Sequence, residues 1–510
     1  QEQGQLEEAI AAYGEAILLD PEHVMAYYNR GFIFGNLGQP RRAMQDLNEA
    51  IRLDPTLAIA YTDRGVAYGN LGQFERAIEN LDEALRLDPG LALALAHRGF
   101  VYGNLGQPER AIEDLDAAIG LDPGLAMAYA NRAFIFGNLG QPRRTIEDLN
   151  EAIRLDPTLA IAYTDRGIAY GILGQLERAI EDLDAAIRLD PGLAMAYANR
   201  GLAHSDLGRF ERAIEDFDEA IRLDPQDGEA FVTRGIFHDE LGDFEQAIED
   251  YDEALRLDPQ SALAFHNRGL AYDELGEFQA AIEDYGEAIR FDPQDALAYY
   301  NRGIVYDKLG EFQQAMDDYG EAIRLDPQDD MAYYNRGIVY EQLGEFELAI
   351  EDYDETIRLN SQDGDAYANR GAVHSILGRL DRAIEDLDEA IRINPQDAAA
   401  YFNRGIVRDE QGEFQQAIDD YDEAIRLNPQ DSGAYVNRGI VYTDLGKPEL
   451  AIEDLDEAIR IDPEFAEAYA NRALVLTILS RDDEARKNIE WAVELGIDRA
   501  ILEQMVEGAK

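Results

Sequence analysis

The sequence predicts an all-helical solenoid of stacked antiparallel helix pairs, and three observations predict it. The first is a proline every 34 residues, without insertion or deletion, at Pro21, Pro55, Pro89, Pro123, Pro157, Pro191, Pro225, Pro259, Pro293 and Pro327, then Pro395, Pro429 and Pro463; only Ser361 interrupts it. The second is that each interval carries two apolar stripes of helical spacing separated by a turn glycine. The third is the absence of any linker or low-complexity stretch over 510 residues. A fixed period of this length marks an array in which each unit buries its apolar face on its neighbours rather than in a central core.

Residues 1–23 read as a lone helix, with Leu6, Ala9, Ile10, Tyr13 and Ile17 on one face and a stop at Asp20-Pro21. Regular units begin at Val24 and fill 24–465 with thirteen repeats. Ala296–Asp329 shows their construction. Ala298, Tyr299, Gly303, Val305 and Tyr306 form the stripe of a first helix, A, which ends at Leu309-Gly310, where glycine can take the left-handed conformation that closes a helix. Phe312, Ala315, Met316, Tyr319, Ala322, Ile323 and Leu325 form a second, B, which Pro327 stops because it has no amide hydrogen. Pro40, Pro108, Pro142 and Pro448 fall at the first turn of helix B, the helical position that tolerates proline. Residues 466–499 make a degenerate fourteenth repeat containing Trp491, expected to cover the end of the stack. Residues 500–510, with Ile501, Leu502, Met505 and Val506, read as a short capping helix.

At these residues the pattern resembles the tetratricopeptide repeat family, whose motif Tyr61, Gly65, Tyr68, Ala77, Leu81, Ala84 and Pro89 match in order. The resemblance covers the whole chain. It implies a right-handed superhelix, a non-catalytic role in binding proteins or peptides, and partner contacts on the concave face of the A helices. Carried over by position, the second, fifth and ninth residues of a unit give the candidate groove: Met25, Tyr28 and Phe32; Leu297, Tyr300 and Ile304; Met331, Tyr334 and Ile338; Phe402 and Ile406. The clamp by which some members grip acidic peptide tails uses Lys, Asn and Arg there. Asn29 and Asn301 alone do not reproduce it.

One departure from the family is repeated in every unit. Arg precedes the helix A glycine position fourteen times, from Arg30 to Arg472, where the family usually has Leu. Sixteen residues later stands Asp, replaced by Asn only at Asn80 and Asn488. A planar guanidinium pairs well with a partly buried carboxylate, so a structural ladder of contacts such as Arg30 with Asp46 and Arg302 with Asp318 is expected, in preference to a repeated anion site.

Composition narrows the partners. With 45 basic and 104 acidic residues the net charge is −59, which repels nucleic-acid phosphates and anionic membranes and favours basic, apolar partners over acidic ones. The end of helix A is neutral over 24–193, as at Gly35-Asn36, and acidic over 194–465, as at Asp239-Glu240 and Asp409-Glu410. No apolar run approaches membrane-spanning length, and no cysteine is present; both a cytoplasmic and a secreted location fit. The start Gln1-Glu2-Gln3 suggests a processed or truncated chain.

No cofactor and no metal site are expected. Strings such as Glu249-Asp250-Tyr251-Asp252-Glu253 read as a solvated helix face, with Asp252 placed to pair with Arg256. His204, His238 and His374 stand where helix A usually has Tyr and are expected to be satisfied between helices; His23, His97 and His266 are isolated. Titratable groups repeated at equivalent positions argue against the asymmetric constellation an active site needs.

The array also carries an internal duplication: 24–57 and 126–159 are identical at 28 of 34 positions, as are 58–91 and 160–193. Its two ends raise an alternative. The apolar face of Leu6, Ile10 and Tyr13 could receive Ile501, Leu502 and Met505 of a second chain, and this heterologous contact would build a filament.

Overall fold

Regular spacing of apolar residues becomes thirty helices and no strand in the computed structural model, which describes residues 2–508, with side chains from residue 5. Residue 1 and residues 509–510, the outermost parts of the predicted 1–23 and 500–510 segments, lie outside the described residues. Glu2–Leu19 is the lone first helix; fourteen A and B pairs follow, from Val24–Asn36 with Pro40–Leu53 to Ala466–Ile478 with Asp482–Glu494; Arg499–Gly508 is last. We number these pairs as repeats 1–14.

The chain forms two compact units, Gln1–Gln260 and Ser261–Lys510. Within each, a helix A packs on its own helix B and on the helix B before it, and A helices also touch the A helices of neighbouring repeats. Successive B helices make no comparable contact. Each stack is therefore tighter along its A side.

Close packing explains the small residues of the period. Ala26, Ala43 and Ala50, and their counterparts in the other repeats, are almost fully buried. A Cβ added at Gly99 would come within 2.7 Å of the Leu115 Cγ and 2.9 Å of the Ala111 carbonyl, so the backbone of helix A there lies directly on helix B. Behind this contact one large side chain is fully enclosed in twelve of the fourteen repeats, as at Leu47, Leu115, Tyr285 and Tyr353. Each such leucine contributes about 2 kcal/mol.

The turns follow the expected chemistry. Gly310 has φ 72° and closes helix A, as glycines do in the other turns, and Ser480 takes the same conformation at φ 59°. The four helix B prolines sit in the first turn.

Several expectations are corrected. Arg256 pairs with Glu253, three residues before it, rather than with Asp252, because i,i+3 geometry brings the longer carboxylate to the guanidinium. The Nδ1 atoms of His204, His238 and His374 are buried without a partner, so these side chains are not fully satisfied. His266 is not isolated: its Nδ1 lies 2.9 Å from Asp295 and its Nε2 3.3 Å from Asn301. Trp491 is 46% exposed with its ring 5.5 Å from that of Tyr469. The end of the stack is covered instead by Leu502 and Val506, which bury against Ala470, Ala473, Ile489 and Ala492.

Candidate protein-binding face

The predicted ladder is present in all fourteen repeats. Arg30 donates from Nε and Nη2 to the two oxygens of Asp46, both at 2.7 Å, and Arg302 does the same with Asp318. At Asn80 and Asn488 the arginine keeps a single Nε bond to the side-chain oxygen. The carboxylates are nearly buried and hold the guanidinium in its charged form. These residues join helix A to helix B and leave no repeated anion site.

A second rung was not foreseen. Arg98 also donates from Nη1 to Asp82 on helix B of the previous repeat at 2.6 Å, and Arg132 reaches Asp116 likewise at 2.5 Å. Asn48 and Asn150 take this place for Arg64 and Arg166. The signal was the acidic or amide residue two positions after the ladder residue of helix B, replaced by glycine at Gly286 and Gly320.

The candidate groove residues divide by position. Met25, Leu297 and Met331, at the second position of helix A, are open to solvent, Leu297 to 60%. Phe32, at the ninth, is 45% exposed, whereas Ile304, Ile338 and Ile406 are half-buried against the core of their own and the next repeat. The fifth position is corrected. Tyr28 is buried, and the rings of Tyr300, Tyr334 and Phe402 lie about 6 Å from those of Tyr319, Tyr353 and Tyr421. The Tyr300 and Tyr334 hydroxyls accept bonds from Asn335 and Asn369 of the following repeat at 2.9 and 3.1 Å. A polar head at position five and an amide 35 residues on therefore tie repeats together and leave Tyr300 and Tyr334 half-buried.

The acidic end of helix A also has an internal task. The twelfth position is acidic only where the enclosed residue of helix B is Tyr: Asp239 with Tyr251, Asp273 with Tyr285, Asp307 with Tyr319, Glu341 with Tyr353 and Asp409 with Tyr421. Tyr353 donates its hydroxyl hydrogen to Glu341 at 2.9 Å, and Tyr251 donates to Asp239. Burial and the adjacent carboxylate push both phenols far above their ordinary range. The charge that remains exposed is at the thirteenth position, at Glu240, Glu274 and Glu410. The pairing was legible by comparing the repeats with one another.

At the ends, Leu6, Ile10 and Tyr13 are half-buried on a helix that packs against helix A of repeat 1, while Leu18 and Leu19 are fully open. Ile501 and Met505 face outward, but Leu502 is buried in its own stack and is withdrawn from any end-to-end contact. No described helix is long and apolar enough to cross a membrane. Among the described residues no three acidic, histidine or cysteine side chains converge as metal ligands.

Small cavities open between A helices of the first unit. One, of about 270 Å³, is lined by Phe134, Asn138, Pro142 and Thr145 of repeat 4 and by Asp165, Ile168 and Ile172 of repeat 5. Asp165 makes no hydrogen bond or ion pair among the described residues, and burial pushes its carboxyl up to about 6.

Comparison of the sequence with family models agrees with this repeat. Models described as tetratricopeptide repeat match residues 24–57, 58–91, 92–125, 131–194, 164–228, 198–262, 250–283, 296–329, 331–363, 370–432 and 433–465. One described as TPR repeat matches 2–38 and 271–310. No curated protein matches the sequence. Among solved structures, a chain of the APC/C hetero-tetramer Cut9-Hcn1 is 17% identical, with 91% of this chain and 98% of that one covered at a TM-score of 0.39. A tetratricopeptide repeat protein from Parabacteroides merdae is 21% identical, with coverage of 49% and 99% and a TM-score of 0.40. YrrB, titled a TPR protein with an unusual peptide-binding site, is 26% identical, with coverage of 36% and 95% and a TM-score of 0.30.

Proposed function

Because the chain belongs to the tetratricopeptide repeat family, we propose that it is a non-catalytic scaffold that binds protein or peptide partners along the face formed by its A helices. The observation that carries this reading is that apolar side chains at the second helix A position stand exposed in each unit, Met25 in the first and Leu297 and Met331 in the second, although the stack does not need them. Exposed apolar side chains aligned on one face are what a peptide contact requires. The acidic thirteenth position and the net charge of −59 favour a partner with basic groups beside its apolar ones, and disfavour nucleic acid.

The test is affinity capture with the wild-type chain and with a variant carrying Met25→Ser, Leu297→Ser and Met331→Ser. Loss of wild-type partners, with an unchanged helical circular dichroism spectrum, is the expected result. An identical partner list rejects the face.

A second reading, end-to-end assembly into a filament, draws on outward-facing Ile501 and Met505 at one end and open Leu18 and Leu19 at the other. It expects mass that grows with concentration in light scattering and falls in Ile501→Ser/Met505→Ser. A monomer at all concentrations removes it.

A further inference from the structure

The duplicated block offers a comparison inside one molecule. Repeats 1 and 2 and repeats 4 and 5 differ at twelve of 68 positions, and four of those differences, Ala133, Thr145, Ile168 and Ile172, line the 270 Å³ cavity between repeats 4 and 5. A fifth, Ala130, stands where repeat 1 has Tyr28.

In the first copy Tyr28 fills this junction. Its ring lies 6.4 Å from that of Phe32, and its hydroxyl stands beside the Asp63 carboxylate of repeat 2, one oxygen of which is buried without a partner. The counterparts of Phe32 and Asp63 are Phe134 and Asp165, and both line the cavity. The second copy thus keeps the aromatic wall and the acceptor but lacks the phenol between them. Two further changes make its rim more apolar, Ile168 for Val66 and Ile172 for Asn70, the latter 69% exposed. Arg166, the neighbouring cation, is already engaged with Asp182 and Asn150. Asp165 therefore faces a mostly apolar cavity without a donor, an arrangement that favours a ligand supplying one.

We propose that this cavity receives a tyrosine side chain of a partner polypeptide, with Phe134 and Ile172 against the ring and the Asp165 carboxylate accepting the phenol hydrogen. The cavity lies below the about 300–1,000 Å³ of pockets for drug-sized ligands and suits a single side chain. The proposal rests on the A-helix face being the binding face and names one side chain that it recognises.

The test uses the full chain with isoleucine methyl labelling, so that Ile168 and Ile172 report by NMR, and three probes: the N-acetyl amides of tyrosine, phenylalanine and lysine. Tyrosine amide is expected to shift both methyls and to bind about five-fold tighter than phenylalanine amide, as one hydrogen bond allows. Asp165→Asn should erase that advantage, and Ala130→Tyr, which restores the first copy's arrangement, should abolish binding while the fold persists. Equal binding of the two aromatic probes, tighter binding of lysine amide, no shift with any probe, or binding that survives Ala130→Tyr each overturns the proposal. Should the probes fail while the Met25, Leu297 and Met331 variant still loses its partners, only this inference falls.

Discussion

Arg98 and Asp82 belong to different repeats, yet the Nη1 atom of one donates to the carboxylate of the other at 2.6 Å, while the same guanidinium holds Asp114 of its own repeat by two bonds. One side chain on helix A thus fastens two B helices, so the ladder joins repeats as well as helices. Arginine suits this task because its planar fork presents donors in two directions.

Repeats 9 and 10 lack the second rung, since Gly286 and Gly320 occupy the position of Asp82. A Cβ at either would lie 3.7 Å from the Nη1 of Arg302 or Arg336, ordinary van der Waals contact. Gly320→Asp is expected to stabilise the second unit by about 0.5–1 kcal/mol, from an exposed ion pair and from removal of a helix-interior glycine. Urea unfolding measures it, and a lower midpoint would show that Arg336 cannot take a second rung.

The pairing of Glu341 with Tyr353 predicts strong coupling. Glu341→Ala deprives a buried hydroxyl of its acceptor and should cost about 1–3 kcal/mol. Glu341→Gly with Tyr353→Leu recreates the combination of Gly35 with Leu47 and should cost less than the two single changes added together, by about 1 kcal/mol. Additive losses in this double-mutant cycle would show that the two positions vary independently.

Asp165 predicts a pH effect of definite sign. Its carboxyl is raised from 3.8 to about 6 by burial, so its protonated form fits the fold better than the unfolded chain. The corresponding stability is fully present below pH 3.8 and is lost as pH rises through about 6. Asp165→Asn should therefore stabilise the first unit by about 1–3 kcal/mol at pH 8 and leave it nearly unchanged at pH 3.5. Equal effects at both values would refute the assignment.

Ser480 holds φ 59° where thirteen other A-to-B turns use glycine. A side chain in this region strains the backbone, and Ser480→Gly is expected to raise the stability of repeat 14 by roughly 1 kcal/mol. Hydrogen exchange in Asp482–Glu494 would report the gain as slower opening.

Local signals made the helices legible. Pro327 ends helix B and Gly310 ends helix A through backbone restrictions that act within one or two residues, and Arg30 meets Asp46 because sixteen residues span one helical hairpin. The site was only partly legible. Leu297 and Tyr300 both read as groove residues, and the structure separates them: Leu297 stands in solvent, while the Tyr300 hydroxyl is bonded to Asn335.

The sequence by itself determined the all-helical repeat, its register, its turns and the first rung of the ladder, since each depends on contacts inside one 34-residue period. Only the tertiary structure decided which side chains remain free. Whether Asp239 serves a partner or Tyr251, whether Leu502 faces outward or inward, and whether Asp165 has a donor depend on what the neighbouring helix places against them. A fixed helix register leaves the neighbour's contribution open, because burial and pairing belong to the interface between repeats.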